Sequence, residues 1–397
     1  MGRRRRSPGA LIEQDVVVEG RERANTQHIP VAARRRYPIT TSRERNARGI
    51  KTVYLRSATH PLTRRAVTFI MHRALLIPVL ASFLTLFSPM TQAETPSRAC
   101  RSITRYSVIE LPFIPKVIGS SGVVAGITEL HHAVLWNRKS GVEELSVPEG
   151  FNYTEPVAIT KTGAVLIDAF DAKGHKRGAF AWVDHFLMAL AGNQTWARGV
   201  DAAGTIVGEW VPEGRTATDA VYWKDSVPHS LGLCCGGMLK GVNEQGDMIG
   251  DTYDDRGHYH AFSWSPTSGQ RIIDPADAYS SAVAINSVGH ILLQVGSEAY
   301  FDDTRQLQHL DLSKKFYNSV QAMNDCDVVV GAYGPDSEHY RAFLWSQTQG
   351  FRDLDSFVSS ASGWELQSAA AIDNRGEIVG SGALRGDDRG FLLIPKN

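Results

Sequence analysis

A ten-residue stretch near the C-terminus, "AIDNRGEIVG" (371–380), recurs upstream as "GVDAAGTIVG" (199–208) and "GVNEQGDMIG" (241–250). Recurrence at a fixed period constrains a chain more than any single motif, because every copy must fold into the same unit and bury its apolar face on a neighbour. Aligned on its central apolar residue, the stretch has seven copies, anchored at Ile118, Ile159, Val200, Val242, Ile285, Met323 and Ile372. The intervals are 41, 41, 42, 43, 38 and 49 residues, so the repeat fills nearly all of residues 94–397 and leaves no separate catalytic domain there.

In the best copies the anchor is followed by Asn or Asp, two variable residues and Gly, as in Val242-Asn243-Glu244-Gln245-Gly246 and Ile285-Asn286-Ser287-Val288-Gly289. Asn or Asp opening a type I turn, with a left-handed Gly at its fourth position, reads as a β-hairpin corner. Ala or Gly precedes the anchor in six copies (Ala158, Gly199, Gly241, Ala284, Ala322, Ala371), which marks a crowded position. About 22 residues beyond the anchor a second signature ends in Trp: "AVLW" (133–136), "AFAW" (179–182), "AVYW" (220–223), "AFSW" (261–264) and "AFLW" (342–345). It degenerates to "AYFD" (299–302) in copy five and "GFLL" (390–393) in copy seven. Alternating apolar residues describe a strand. Polar turns such as "DAKGHKRG" (171–178) precede it, and a short apolar strand follows it, as in "GFRDLDSF" (350–357).

Each unit therefore has four short strands, and seven such units predict an all-β fold, a seven-bladed β-propeller. Copy seven stops after its third strand at Pro395, while an orphan strand, "RYSVIELP" (105–112), precedes copy one. The N-terminal strand of the mature chain is expected to complete the last blade and remove its free edge. An open β-solenoid is the alternative stacking of the same units.

Charge divides the chain. Residues 1–70 hold 15 Arg and 1 Lys against 5 acidic residues, a net of +11, whereas residues 94–397 hold 25 basic against 37 acidic residues, a net of −12. Between them, "MHRALLIPVLASFLTLFSPMTQA" (71–93) has a basic start, an apolar run over Ala74–Phe87 and a small-residue end, and reads as a secretory signal peptide cut after Ala93. That run is short for a membrane span, which needs about 20 residues. The Arg-rich segment lacks hydrophobic periodicity and is read as disordered or as an over-extended start, with translation beginning at Met71; the rival reading is a cationic arm for nucleic acid or a membrane surface. The expected product is extracellular or periplasmic, monomeric, without a stable membrane span after cleavage. Its acidic balance argues against nucleic acid. Cys100, Cys234, Cys235 and Cys326 permit two disulfides with three connectivities, and no CxxC or Cys/His spacing points to a metal.

The spacing resembles a family of bacterial extracellular repeats named after a His-Ala-Phe tripeptide, the HAF repeats, over about residues 110–397. His260-Ala261-Phe262-Ser263-Trp264 matches its second motif fully, and Ala342-Phe343-Leu344-Trp345 follows Arg341 where the His would stand. The resemblance implies an exported propeller-type protein and carries no catalytic residues with it.

No nucleophile elbow or phosphate-binding loop occurs. His131, His132, His258 and His260 invite a metal assignment, but His132 and His260 occupy the same repeat position, just before the Ala of the strand, and are explained by the repeat. Asp251, Asp254 and Asp255 read as a solvated hairpin rather than a Ca²⁺ loop. No cofactor is implied. The pattern that points to a ligand is aromatic: Phe151, Tyr153, Trp196, Tyr279, Phe316, Tyr317 and Trp364 stand four to eight residues ahead of their anchors. In a closed propeller these loops share one face, so the rings are candidate stacking platforms for an extracellular glycan or protein ligand; packing between blades is the competing account. A binding or interaction module is thus favoured over a polysaccharide hydrolase or lyase, and over a structural cell-surface or matrix component. Mass spectrometry of the mature N-terminus is expected to place Glu94 first; a peptide from residues 1–70 would contradict the reading of the start.

Overall fold

The computed structural model describes residues 102–396 apart from 193, 234, 276–278, 313–316 and 337–338. The Arg-rich segment, the signal peptide, Cys100, Cys234 and Phe316 lie outside the described residues. The repeats form seven four-stranded antiparallel sheets, the blades of a β-propeller. In blade one the strands are Ile114–Ile118, Val124–Ile127, Ala133–Asn137 and Gly141–Glu144, from the inside outward. Blade seven takes three strands from the C-terminal end, Trp364–Ile372, Ile378–Leu384 and Asp387–Pro395, and its outermost strand, Tyr106–Leu111, from the N-terminal end. Tyr106 pairs with Pro395 and Leu111 with Gly390. The expected closure is present, and the ring has no unpaired end.

All seven anchors are the last residues of their innermost strands. Six of them line one cavity of about 210 Å³, so the strand ends converge on a common axis. The turn that follows is built as its composition requires. Asn243 Oδ1 accepts the N–H groups of Gln245 and Asp247 at 3.0 and 2.9 Å, and Asp373 Oδ1 accepts those of Arg375 and Glu377, both at 2.9 Å. Gly246 and Gly376 hold the left-handed fourth position at φ 80° and 78°. Blade six places Asp327 there instead, at φ 55°. Its carboxylate accepts from Asn286 Nδ2 at 2.7 Å and pairs with His290 Nδ1 at 3.0 Å, tying blade six to blade five.

In every blade the innermost strand slips by one residue against the second strand, a β-bulge just ahead of the anchor. The slip explains two sequence constraints. The Gly of the "IVG" and "MIG" runs is forced by close approach: a Cβ on Gly208 or Gly250 would lie 1.9 or 2.0 Å from the carbonyl oxygen of Trp196 or Met238. The small residue before the anchor is forced by the next blade, since a Cβ on Gly241 would meet Ile249 at 3.2 Å and Ile285 at 3.3 Å. The slip also leaves a backbone N–H without a ladder partner, and the preceding blade supplies one. Asp168 Oδ1 accepts from Ala197 at 2.9 Å, Asp251 Oδ1 from Ala282 at 2.9 Å and Gln294 Oε1 from Val320 at 3.0 Å.

The hydrophobic core is distributed rather than central. Seven buried clusters fill the seams between successive blades, as where Val207 and Ala220 of blade three meet Leu239, Met248 and Phe262 of blade four. The closing seam joins Val379 and Leu392 of blade seven to Val124 and Val134 of blade one, with Leu111 of the N-terminal strand fully buried among them. Leu111→Ala is expected to cost about 2–5 kcal/mol in urea unfolding; an unchanged midpoint would mean that the N-terminal strand does not belong to the cooperative ring.

Candidate functional site

The innermost strands all run toward the anchors, so their starts lie at the opposite end of the ring from the Asx turns. The seven candidate rings fall at this strand-start end, apart from Phe316, which lies outside the described residues. Their environments differ. Trp364 packs edge-to-face on the buried Phe391 and joins the core between blades six and seven. Phe151 packs edge-to-face on Phe180 at 5.5 Å under the Lys176 ammonium. These two are scaffold residues. Tyr153, Tyr279 and Tyr317 are 41, 51 and 65% exposed; Tyr279 leans on His258 and Tyr153 on His131. Trp196 is half-buried and lines a crevice.

That crevice, a cavity of about 260 Å³, opens in the seam between blades two and three. Glu155 comes from the innermost strand of blade two (Tyr153–Ile159), Asp168 and Phe170 from its second strand (Val165–Phe170), and Arg177 from its third (Arg177–Val183); Trp196 and Arg198 come from the innermost strand of blade three (Thr195–Val200). Arg198 is the bulged residue of blade three and pairs with the buried Glu209 at 2.7 Å. The Arg177 guanidinium lies 5.2 Å from both the Phe170 and the Trp196 ring centroids, over each of them. Glu155 faces Asp168 directly across the strand pair.

Asp168 is almost wholly buried, and burial pushes its carboxyl up to about 7; the Ala197 N–H and the Arg198 charge pull it down, while Glu155 and Glu209 push it further up. Sequence spacing missed this residue because it lies mid-strand in an alternating apolar run. The signal that finds it is comparison between copies: the same strand position holds Glu209, Asp251 and Gln294 in the next three blades, polar where a blade core wants apolar.

Asp251 requires a correction. The sequence places it in a solvated loop with Asp254 and Asp255, whereas it lies inside the strand Met248–Tyr253, 5% exposed, paired with Lys240 at 2.5 Å and holding the Ala282 N–H. The histidines are held by carboxylates: His132 Nδ1 meets Glu144 at 2.7 Å, and His260 Nδ1 meets Asp274 at 2.5 Å. Burial disfavours the charged form of His260, but its hydrogen bond to Asp274 and the charges of Asp274 and Asp254 outweigh this and raise its pKa. Among the described residues no group of three His, Cys, Asp or Glu side chains is placed to hold a metal. Cys326 is disulfide-bonded and Cys235 is exposed. Among the described residues no helix is long and apolar enough to cross a membrane.

Fold and seam geometry together define a seven-bladed propeller module whose non-repeating residues gather at the strand-start end. No family model matches the chain, and no curated protein sequence matches it. Among solved structures it is similar to a virginiamycin B lyase from Staphylococcus aureus, at 8% identity and a TM-score of 0.48, over 73% of this chain and all of that one. It is also similar to a prolyl endopeptidase, at 10% identity and a TM-score of 0.51, over 74% of this chain and about half of that one. Identities this low show the fold, and function must be argued from the site.

Asp168 gives a pH prediction. Its proton is held more tightly in the folded chain than at the ordinary value of 3.8. Its contribution to stability is therefore complete below about pH 4 and is lost as pH rises through about 7. Asp168→Asn keeps an acceptor for Ala197 and cannot ionise. The stability of the wild type relative to this variant is expected to fall between pH 4 and pH 8 in urea unfolding; a constant difference would contradict the burial argument.

Proposed function

We propose that residues 94–397 form an exported, monomeric binding module, periplasmic or released, which takes extracellular glycan ligands at the strand-start end of the propeller. One observation carries the reading. Tyr153, Tyr279 and Tyr317 stand exposed at the same end of the ring as the Trp196 crevice. Rings presented to water beside polar groups suit the apolar faces and hydroxyl edges of sugars. The resemblance to exported HAF repeats supports export, and the acidic mature chain suits a ligand other than nucleic acid.

A second reading, a polysaccharide hydrolase or lyase, is favoured by one feature. Asp168, with its carboxyl near neutrality, faces Glu155 across one strand pair, a placement that can serve acid–base chemistry. A glycan array followed by a reducing-end assay on each hit separates the two readings, binding without cleavage being the expected result.

Substitution separates ligand platforms from scaffold. Tyr279→Ala with Tyr317→Ala is expected to leave the melting temperature unchanged and abolish glycan capture, whereas Trp364→Ala should cost about 1–3 kcal/mol of stability. Unchanged capture by the double tyrosine variant would remove those rings from the site.

A further inference from the structure

The crevice between blades two and three differs from its counterparts in the other seams. Where blade two has Arg177, two residues ahead of the third-strand Ala, the first six blades otherwise read His131, Thr218, Tyr259, Ser297 and Tyr340. Where blade three has Trp196, one residue ahead of the bulge pair, the neighbouring blades read Glu155, Met238 and Ser281. The propeller closes its other seams without an Arg–Trp pair, so the pair is not a requirement of the fold.

Several of its polar groups are unspent. Among the described residues Arg177 donates only from Nε, to the Gly174 carbonyl at 3.3 Å, and no carboxylate pairs with it. The Phe170 and Trp196 rings lie within cation–π reach of its guanidinium and restrain where it can sit. Asp168, 4% exposed, spends Oδ1 on the Ala197 N–H, and its second oxygen has no protein donor among the described residues. Glu155, its cross-strand partner, pairs with Lys116 at 2.9 Å and keeps an exposed carboxylate edge.

We propose that this crevice binds a terminal acidic sugar residue, its carboxylate on the Arg177 guanidinium and its ring hydroxyls donating to Asp168 and Glu155. The inference rests on the glycan-binding reading and names the ligand class for one part of that surface. Arg presents parallel donors that match a carboxylate, and an Arg left without a protein partner in a half-enclosed place is poised for one. Two carboxyl groups on neighbouring strands match adjacent hydroxyls. The carboxyl terminus of a peptide offers one amide N–H beside its carboxylate, and would leave the second acceptor unmet. At about 260 Å³ the crevice falls below the clefts of about 300–1,000 Å³ that take drug-sized ligands, which fits one residue at a chain end rather than a chain running through.

The test uses the mature chain and matched pairs of probes: oligogalacturonate, oligomannuronate and a glucuronate-bearing xylo-oligosaccharide, each against its carboxyl-reduced form. A tripeptide with a free carboxyl terminus and its amide form a second arm. Binding is read by calorimetry and by Trp fluorescence. At least one acidic oligosaccharide is expected to bind about tenfold or more tightly than its reduced form, the scale of a hydrogen-bonded charge contact. Arg177→Gln should abolish that preference at unchanged melting temperature, and Arg177→Lys should restore it only in part. Equal binding of acidic and reduced forms, or a preference that survives Arg177→Gln, would overturn the inference while leaving the glycan-binding module intact. Capture of the free-carboxyl tripeptide without any uronate would likewise overturn it and redirect the module to peptides. No binding of any sugar or peptide, on this panel or on the array, would remove both.

Discussion

The structure depends on one local irregularity, the one-residue slip of each innermost strand just ahead of its anchor. The slip twists the strand end toward the axis and brings a carbonyl close to its neighbour, which is why Gly follows the apolar pair in the second strand of five blades, Ile167 and Leu293 standing there in blades two and five. It also strands a backbone N–H in a buried seam, where an unmet donor costs about 1–3 kcal/mol. Asp168, Asp251 and Gln294 meet that cost from the preceding blade. At these three seams adjacent blades are thus joined twice, by apolar packing and by a side-chain acceptor that reaches across.

This arrangement explains how far the sequence could be read. Blade number, the Asx turns and closure by the N-terminal strand follow from periodicity alone, because each copy repeats the same solution. Asp251 was misplaced for the opposite reason: a buried carboxylate in mid-strand looks like loop composition unless the slip that needs it is known. The aromatic residues ahead of the anchors share one end of the ring as expected, yet their positions could not show that Trp364 and Phe151 pack inward while Tyr317 stands free. Whether a ring meets a neighbouring blade or water depends on the third strand beside it, which the alignment of anchors does not include.

The crevice between blades two and three was invisible for a related reason. Its residues, Glu155, Asp168, Arg177, Trp196 and Arg198, come from four strands of two blades. No local spacing joins them, and each looks unremarkable within its own copy. They stand out only as departures from the repeat once the seam brings them together. Some of their chemistry grows out of the clip itself. Asp168 serves the bulge with one oxygen and lines the crevice, so in the proposed site a structural acceptor in a low-dielectric seam doubles as a ligand acceptor. Repetition builds the scaffold, and the proposed site lies where repetition lapses.

Hydrogen exchange of the mature chain, with and without the tightest-binding glycan from the array, tests this account most directly. Added protection is expected in peptides covering the crevice, over residues 153–157, 166–178 and 195–199, including the Ala197 amide that Asp168 holds. Protection confined instead to the Asx-turn end of the ring, around Lys161, Glu244 and Asp325, would contradict it.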